Sequence, residues 1–272
     1  MTLSADITDF TRRDLTFRGK TKPVLVSGAS GPAVIVLHEA YGITPVLLRL
    51  CRWFRDGGFR VYIPVLLGRP DATNPEKLTL TRTLALCVSR EFTMFATGRP
   101  SPVTHWLRDL AHMAHSECGG PGVGVIGLCL TGGFGLAMSV DPLIMAPVLG
   151  EPSLPALRHS ALEVSDSDLA RIRARTHAPE QFRVRGYRFK GDTLCRSVRF
   201  EALQRALGDA FLYREFPDED GNPAGFRAQG KPPHSVFTGD LIDQPGAATR
   251  QAVDEVIAFF RERLLVAAAS AG

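Results

Sequence analysis

Val123-Gly-Val-Ile-Gly-Leu-Cys-Leu-Thr-Gly-Gly-Phe-Gly-Leu-Ala-Met-Ser-Val140 is the stretch from which the fold can be read. Residues 123–128 form a short apolar run of the kind that a strand buried on both faces requires. The small-residue segment Leu130–Val140 reads as a helix packed closely on its neighbours, and Cys129 stands at the turn between the two. A nucleophile elbow, G-x-S-x-G, needs small residues two positions to either side, because the sharp turn brings backbone and side chains together. Gly127 meets that demand, Cys129 replaces serine, and Thr131 departs from the second glycine, with Gly132 and Gly133 directly after it. A buried structural cysteine is the plainer alternative. The strand-turn-helix context favours a nucleophile, and a helix start favours the thiolate that attacks.

The same stretch holds a decoy. Gly122-Val-Gly-Val-Ile-Gly127 matches G-x-G-x-x-G, with Asp141 near the offset of a ribose-binding acid. Dinucleotide-binding glycines follow a strand and open a helix, whereas here the apolar strand runs through them. No cofactor is therefore expected.

Outward from this centre, strands and helices alternate. Toward the N-terminus come an edge pair, Leu15–Lys20 and Pro23–Val26, a buried strand over 31–39, a helix over Leu47–Phe54 and a strand over Phe59–Leu66. Helices are expected over Leu78–Phe95 and Pro102–His115, with residues 68–118 a candidate helical cover near a pocket. Beyond the elbow come an apolar run Leu143–Leu149, a polar helix over Ser153–Arg175 and a strand Phe182–Phe189. The helix Ser197–Leu207, the strand Ala210–Phe216 and the helix Ala247–Leu265 complete the pattern. It predicts α/β architecture, a mostly parallel central sheet with helices on both faces, in one domain over residues 1–272.

Two further residues fall where an elbow nucleophile needs partners. Asp192 follows the strand ending at Phe189, in a Gly-Asp turn, and His234 lies in Pro-Pro-His-Ser before the last helix. Nucleophile, acid and histidine thus stand in the chain order of elbow hydrolases, with the last two on loops after later strands. His112 and His115, near Glu117 and Cys118, read as a solvated helix face rather than a metal site. His38 reads as packing at a strand end.

Composition sets the outer bounds. The 272 residues are 44% hydrophobic and 22% charged, enough apolar material for a folded core. A net charge of +4, evenly scattered, is too slight for a nucleic-acid binder. No apolar run reaches the roughly 18 residues of a membrane span, and the start has acids and threonines where a signal peptide would be apolar. The five cysteines form an odd set without CxxC pairs, which fits reduced thiols in a cytoplasmic protein, without a disulfide framework or zinc ribbon.

Together these residues resemble the dienelactone hydrolase family, cysteine enzymes of the α/β-hydrolase fold. The resemblance rests on His38-Glu-Ala-Tyr-Gly42, Gly127-Leu-Cys-Leu-Thr-Gly-Gly133, the Gly191-Asp192 turn and Pro233-His234-Ser235. It implies Cys129 as nucleophile, His234 as base, Asp192 as the partner that orients it, and Glu39 as the carboxylate that helps deprotonate the thiol. The backbone N–H groups of Ala40 and Leu130 would form the oxyanion hole. The arginine that the family carries a few residues after its histidine is absent, since His234 leads into Ser-Val-Phe-Thr238. Arg82 and Arg90, with Tyr41, are the substitutes for substrate binding, although a surface salt bridge is the plainer role for either arginine. The expected function is hydrolysis of an enol lactone or activated ester, a small molecule, by a monomer or small homo-oligomer that engages neither nucleic acid nor membrane. Its rivals are a general carboxylesterase or thioesterase, and a catalytically silent binding protein on the same scaffold.

Overall fold

A strand flanked by other strands and covered by helices on both faces has to be apolar on both sides. In the computed structural model, which describes residues 6–28, 30–68, 101–154, 158–177 and 182–265, eight described strands form one sheet. They are β1 (Thr11–Phe17), β2 (Lys20–Ser27), β3 (Ala33–Leu37), β4 (Arg60–Pro64), β5 (Val123–Leu128), β6 (Ile144–Gly150), β7 (Val184–Phe189) and β8 (Phe211–Phe216), in the order β1-β2-β4-β3-β5-β6-β7-β8. The β1-β2 and β2-β4 pairs are antiparallel, and from β4 to β8 every pair is parallel. The fold is that of the α/β-hydrolases.

Side-chain alternation divides the core into two layers. Val34 and Val36 of β3 point to one face, where helices α1 (Pro45–Asp56) and α6 (Ala248–Leu264) pack; Ala33, Ile35 and Leu37 point to the other, against α2 (Pro102–Cys118). The short α3 (Phe134–Met138) joins that second layer, and α4 (Asp166–Thr176) and α5 (Ser197–Leu207) cover the β7-β8 end. Thr44 and Ser101 cap α1 and α2, accepting from Leu47 N–H and Thr104 N–H, and a proline opens each helix. The glycines of the decoy motif are packing sites: a Cβ on Gly124 would lie 3.1 Å from Phe260 and Leu264 of α6, so α6 seats directly on β5.

Several expected boundaries move. Arg18-Gly19, with φ of 53° and 73°, turns the chain between β1 and β2, so the edge pair is longer than expected and its turn lies earlier. The helix expected over Leu130–Val140 is interrupted: a 3₁₀ turn at Cys129–Thr131 is followed by α3 only from Phe134, because Gly132 and Gly133 are poor helix formers. The polar helix expected from Ser153 begins at Asp166, where Ser165 accepts from the Asp168 N–H. The Leu78–Phe95 helix, and with it Arg82, Arg90 and most of the 68–118 cover, lies outside the described residues. The described part of that segment, α2, packs on the sheet through Val103, Trp106, Leu107, Leu110 and Ala111. No helix among the described residues is long and apolar enough to cross a membrane, and the described cysteines 51, 118, 129 and 195 are unpaired.

Phe260 joins α6 to this core, meeting Phe54 and Phe59 edge-on at ring-centroid distances of 5.4 and 5.8 Å. Phe260→Ala is expected to lower unfolding free energy by about 3–5 kcal/mol, as read by urea denaturation. A loss below about 1 kcal/mol would show that the cavity collapses or that α6 contributes little.

Candidate active site

At the end of β5 the chain turns so sharply that Cys129, which has a side chain, takes a left-handed φ of 54°. A Cβ on Gly127 would come within 2.1 Å of the Thr131 carbonyl oxygen, and one on Gly132 within 2.5 Å of Pro152 Cα. The second small position of the elbow has therefore moved from 131 to 132. Thr131 is fully buried; its hydroxyl accepts from Leu128 N–H (3.1 Å), and its one proton has the Leu37, His38 and Leu128 carbonyls as acceptors within reach at 3.0, 3.1 and 3.0 Å. It ties the elbow to the end of β3. Ser153 holds the other side, its N–H donating to the Cys129 carbonyl at 3.0 Å and its hydroxyl lying 3.5 Å from Sγ.

The expected partners converge on this turn. Asp192 Oδ2 accepts from His234 Nδ1 at 2.7 Å, and both side chains are buried. A carboxylate can only accept, so Nδ1 carries a proton and donates it to Asp192. Nε2 is buried and has no hydrogen-bond partner among the described residues. Burial alone would disfavour the charged ring, but the negative charge of a Cys129 thiolate and the bond to Asp192 outweigh it and hold the imidazole well above its ordinary pKa.

The Asp192 turn is itself fixed. Asp192 Oδ1 accepts from the N–H groups of Leu194 and Cys195 at 2.8 and 3.1 Å, and Asp218 Oδ1 accepts from Gly191 N–H at 2.8 Å. Arg188, nearly inaccessible on β7, donates to the carbonyls of Cys195 (2.8 Å) and Lys190 (3.1 Å), which bracket the turn, and pairs with Glu215.

Glu39 reaches the site by a different route from the one expected. Its Oε1 accepts from the Ser235 hydroxyl at 2.5 Å and its Oε2 from Thr238 at 2.7 Å, so both oxygens are engaged by the loop that carries His234. Among the described residues no hydrogen bond joins it to Cys129. Thr238, standing after the histidine where the family arginine was sought, thus serves Glu39. Tyr41 is part-exposed beside the site; burial, then the charges of Glu39 and Cys129, raise its phenol pKa. His38 links the Ala40 loop to the end of β4: Nδ1 donates to the Glu39 carbonyl at 2.7 Å, and Nε2 accepts from Leu66 and Leu67 N–H at 2.9 and 3.3 Å.

Residues that sequence reading missed fill the gaps. Glu151, after β6, is fully buried at φ 36°; among the described residues its Oε1 has no partner and its Oε2 accepts a 3.4 Å bond from Val236 N–H. Burial, opposed by His234 and reinforced by Glu39, Cys129 and Asp192, pushes its carboxyl well above the ordinary range. A glutamate directly after a buried strand, in Gly-Glu-Pro, was the available signal. Arg188 was signalled by an arginine inside an otherwise apolar strand end. Of the histidines set aside, His112 pairs with Asp141 at 2.6 Å and His115 meets the Gly120 carbonyl at 2.9 Å. Among the described residues no group of three His, Cys, Asp or Glu could hold a metal ion.

Comparison with known proteins agrees with the resemblance seen in sequence. The dienelactone hydrolase family model matches residues 22–153, which include Glu39 and Cys129 but neither Asp192 nor His234. No curated protein sequence matches significantly. Similar solved structures include a dienelactone hydrolase-like promiscuous phosphotriesterase from metagenomic libraries (TM-score 0.63, 20% identity, covering 94% of this chain and 98% of that one). A dienelactone hydrolase from Anabaena variabilis (0.56, 12%, 94% and 99%) and a cold-adapted esterase from an Arctic intertidal metagenomic library (0.58, 15%, 93% and 93%) are also similar.

His38 gives a pH test of this scaffold. Burial lowers its pKa from 6.5 to about 4 in the folded chain. Unfolding therefore takes up a proton between those values. The stability from keeping His38 neutral is complete above about pH 6.5 and is lost as pH falls toward 4, by about 3 kcal/mol. Denaturant titrations at pH 7 and pH 4 should show His38→Gln losing less stability than wild type by that margin. Equal losses would remove His38 as the cause.

Proposed function

We propose that this chain is a hydrolase of carboxylic ester bonds, with an enol lactone or similarly activated ester as substrate, working through Cys129, His234 and Asp192. The observation that carries this reading is the imidazole of His234, tied at Nδ1 to Asp192 and leaving a buried, unpartnered Nε2 within the field of a strained, elbow-borne thiol.

In this reading His234 takes the thiol proton and Asp192 keeps the ring in the useful tautomer. Glu39, occupied by two hydroxyls, contributes charge beside the site rather than direct proton abstraction. The thiolate attacks the carbonyl carbon, a C–S bond forms, and the oxyanion is met by the N–H groups of Ala40 and Leu130. A thiolate leaves more readily than an ordinary alkoxide, so adducts of simple alkyl esters fall back to reactants. With an enol ester the C–O bond breaks to release a stabilised enolate and leave a thioester, and the proton that His234 took from the thiol passes to that enolate, which returns the ring to its neutral form. His234 then draws a proton from water, the hydroxide adds, and the C–S bond breaks to give the acid and restore Cys129. The same groups would serve a general esterase or thioesterase, and relative rates separate those readings. The free thiols suit a reducing compartment such as the cytoplasm.

A panel holding an enol lactone and a matched alkyl ester should show wild type strongly preferring the former. Cys129→Ala should abolish turnover of both, and Asp192→Asn should fold normally but lose on the order of 10²–10⁴ in kcat. Turnover retained by Cys129→Ala would sink the reading, and equal rates on the two esters would replace the lactone with a general ester. No turnover of any ester, with Cys129 no more reactive to iodoacetamide than the other thiols, would leave a silent scaffold.

A further inference from the structure

His234 is held by two carboxylates, one on its ring and one on its backbone. The second is Asp240, which is fully buried six residues on. Its Oδ2 accepts from the N–H groups of His234 at 2.8 Å and Ser235 at 3.0 Å, and its Oδ1 accepts from Phe226 N–H at 2.8 Å. Its own backbone closes the loop: Asp240 N–H donates to the Ser235 carbonyl at 3.0 Å, and its carbonyl accepts from Asn222 N–H at 2.8 Å. Three donors on two oxygens call for an acceptor-only group. An amide would turn an N–H against one of them.

We propose that Asp240 is a positioning residue for His234. With the His234 amide fixed by Asp240 and Nδ1 fixed by Asp192, the ring has little torsional freedom, and Nε2 stays directed at Cys129. Gly225 is shaped to the same end, since a Cβ there would lie 2.2 Å from Asp240 Oδ1. Asp240 touches no reacting atom and works through the base. The inference rests on the triad reading above, but it is read through the thiol rather than through any substrate.

The test follows Cys129 alkylation by iodoacetamide against pH, located by peptide mapping, together with kcat and KM on an activated aryl ester. In Asp240→Asn the imidazole is no longer held toward Cys129, so the alkylation curve should move to higher pH. At the same time kcat should fall on the order of 10²-fold with KM little changed. In a His234→Ala background the same substitution should have no further effect on alkylation, because its route is already gone. Gly225→Ala, which displaces the carboxylate without removing it, should reproduce the shift, and it carries the test if Asp240→Asn does not fold. An unmoved alkylation curve in a folded variant, or an equal change with and without His234, would overturn the proposal. Ester turnover that survives Cys129→Ala would instead overturn the functional reading, while the alkylation comparison would still judge Asp240.

Discussion

The backbone at Cys129 is the constraint around which the rest is arranged. A residue with a side chain at φ 54° costs on the order of 1–3 kcal/mol and persists only where its surroundings over-determine it. Here they do so from three directions: the bare Cα of Gly127 lets the Thr131 carbonyl close in, Gly132 sits against Pro152, and the Cys129 carbonyl accepts from both Gly132 and Ser153 N–H. The outcome is a half-buried cysteine at the tip of the turn, its sulfur 3.5 Å from the Ser153 hydroxyl. Thr131 strengthens this bend, because its hydroxyl fastens the turn to β3.

Strand order then supplies the neighbours. β5, β6, β7 and β8 are consecutive in the sheet, and parallel strands deliver their following loops to one edge at about 4.8 Å per strand. Cys129 follows β5, Glu151 and Ser153 follow β6, and Asp192 follows β7, while the chain after β8 leads to His234. Groups 42 residues apart thereby come to 2.7 Å. The family match ends at residue 153, so Asp192 and His234 lie beyond the matched segment and come together through this topology.

Ionisable groups are buried around this edge. Glu39 is satisfied by two hydroxyls, Arg188 by two carbonyls and Glu215, and Asp240 by three N–H groups, while Glu151 is satisfied only in part. Burying them is costly unless each is paired. All four stand beside a loop that carries Asp192 or His234, where the gain is geometric precision rather than stability.

Local pattern alone determined the alternating elements. Strand β5, helix α5 over Ser197–Leu207 and the capped starts of α1 and α2 depend on apolar runs, helical spacing and Ser/Thr-Pro caps, all of which act within a few residues. The same locality made Cys129, Asp192 and His234 visible as residues on turns after strands. What sequence could not decide was where buried side chains would find partners, since that depends on contacts between distant segments. Glu39, expected at the thiol, is claimed by Ser235 and Thr238 nearly two hundred residues away. Gly132 comes to lie against Pro152, and Asp240, an ordinary loop aspartate in sequence, becomes the anchor of His234 only when the loop folds back on its own N–H groups. Periodicity and turn chemistry are properties of the chain, whereas the pairing of a buried carboxylate is a property of the space around it.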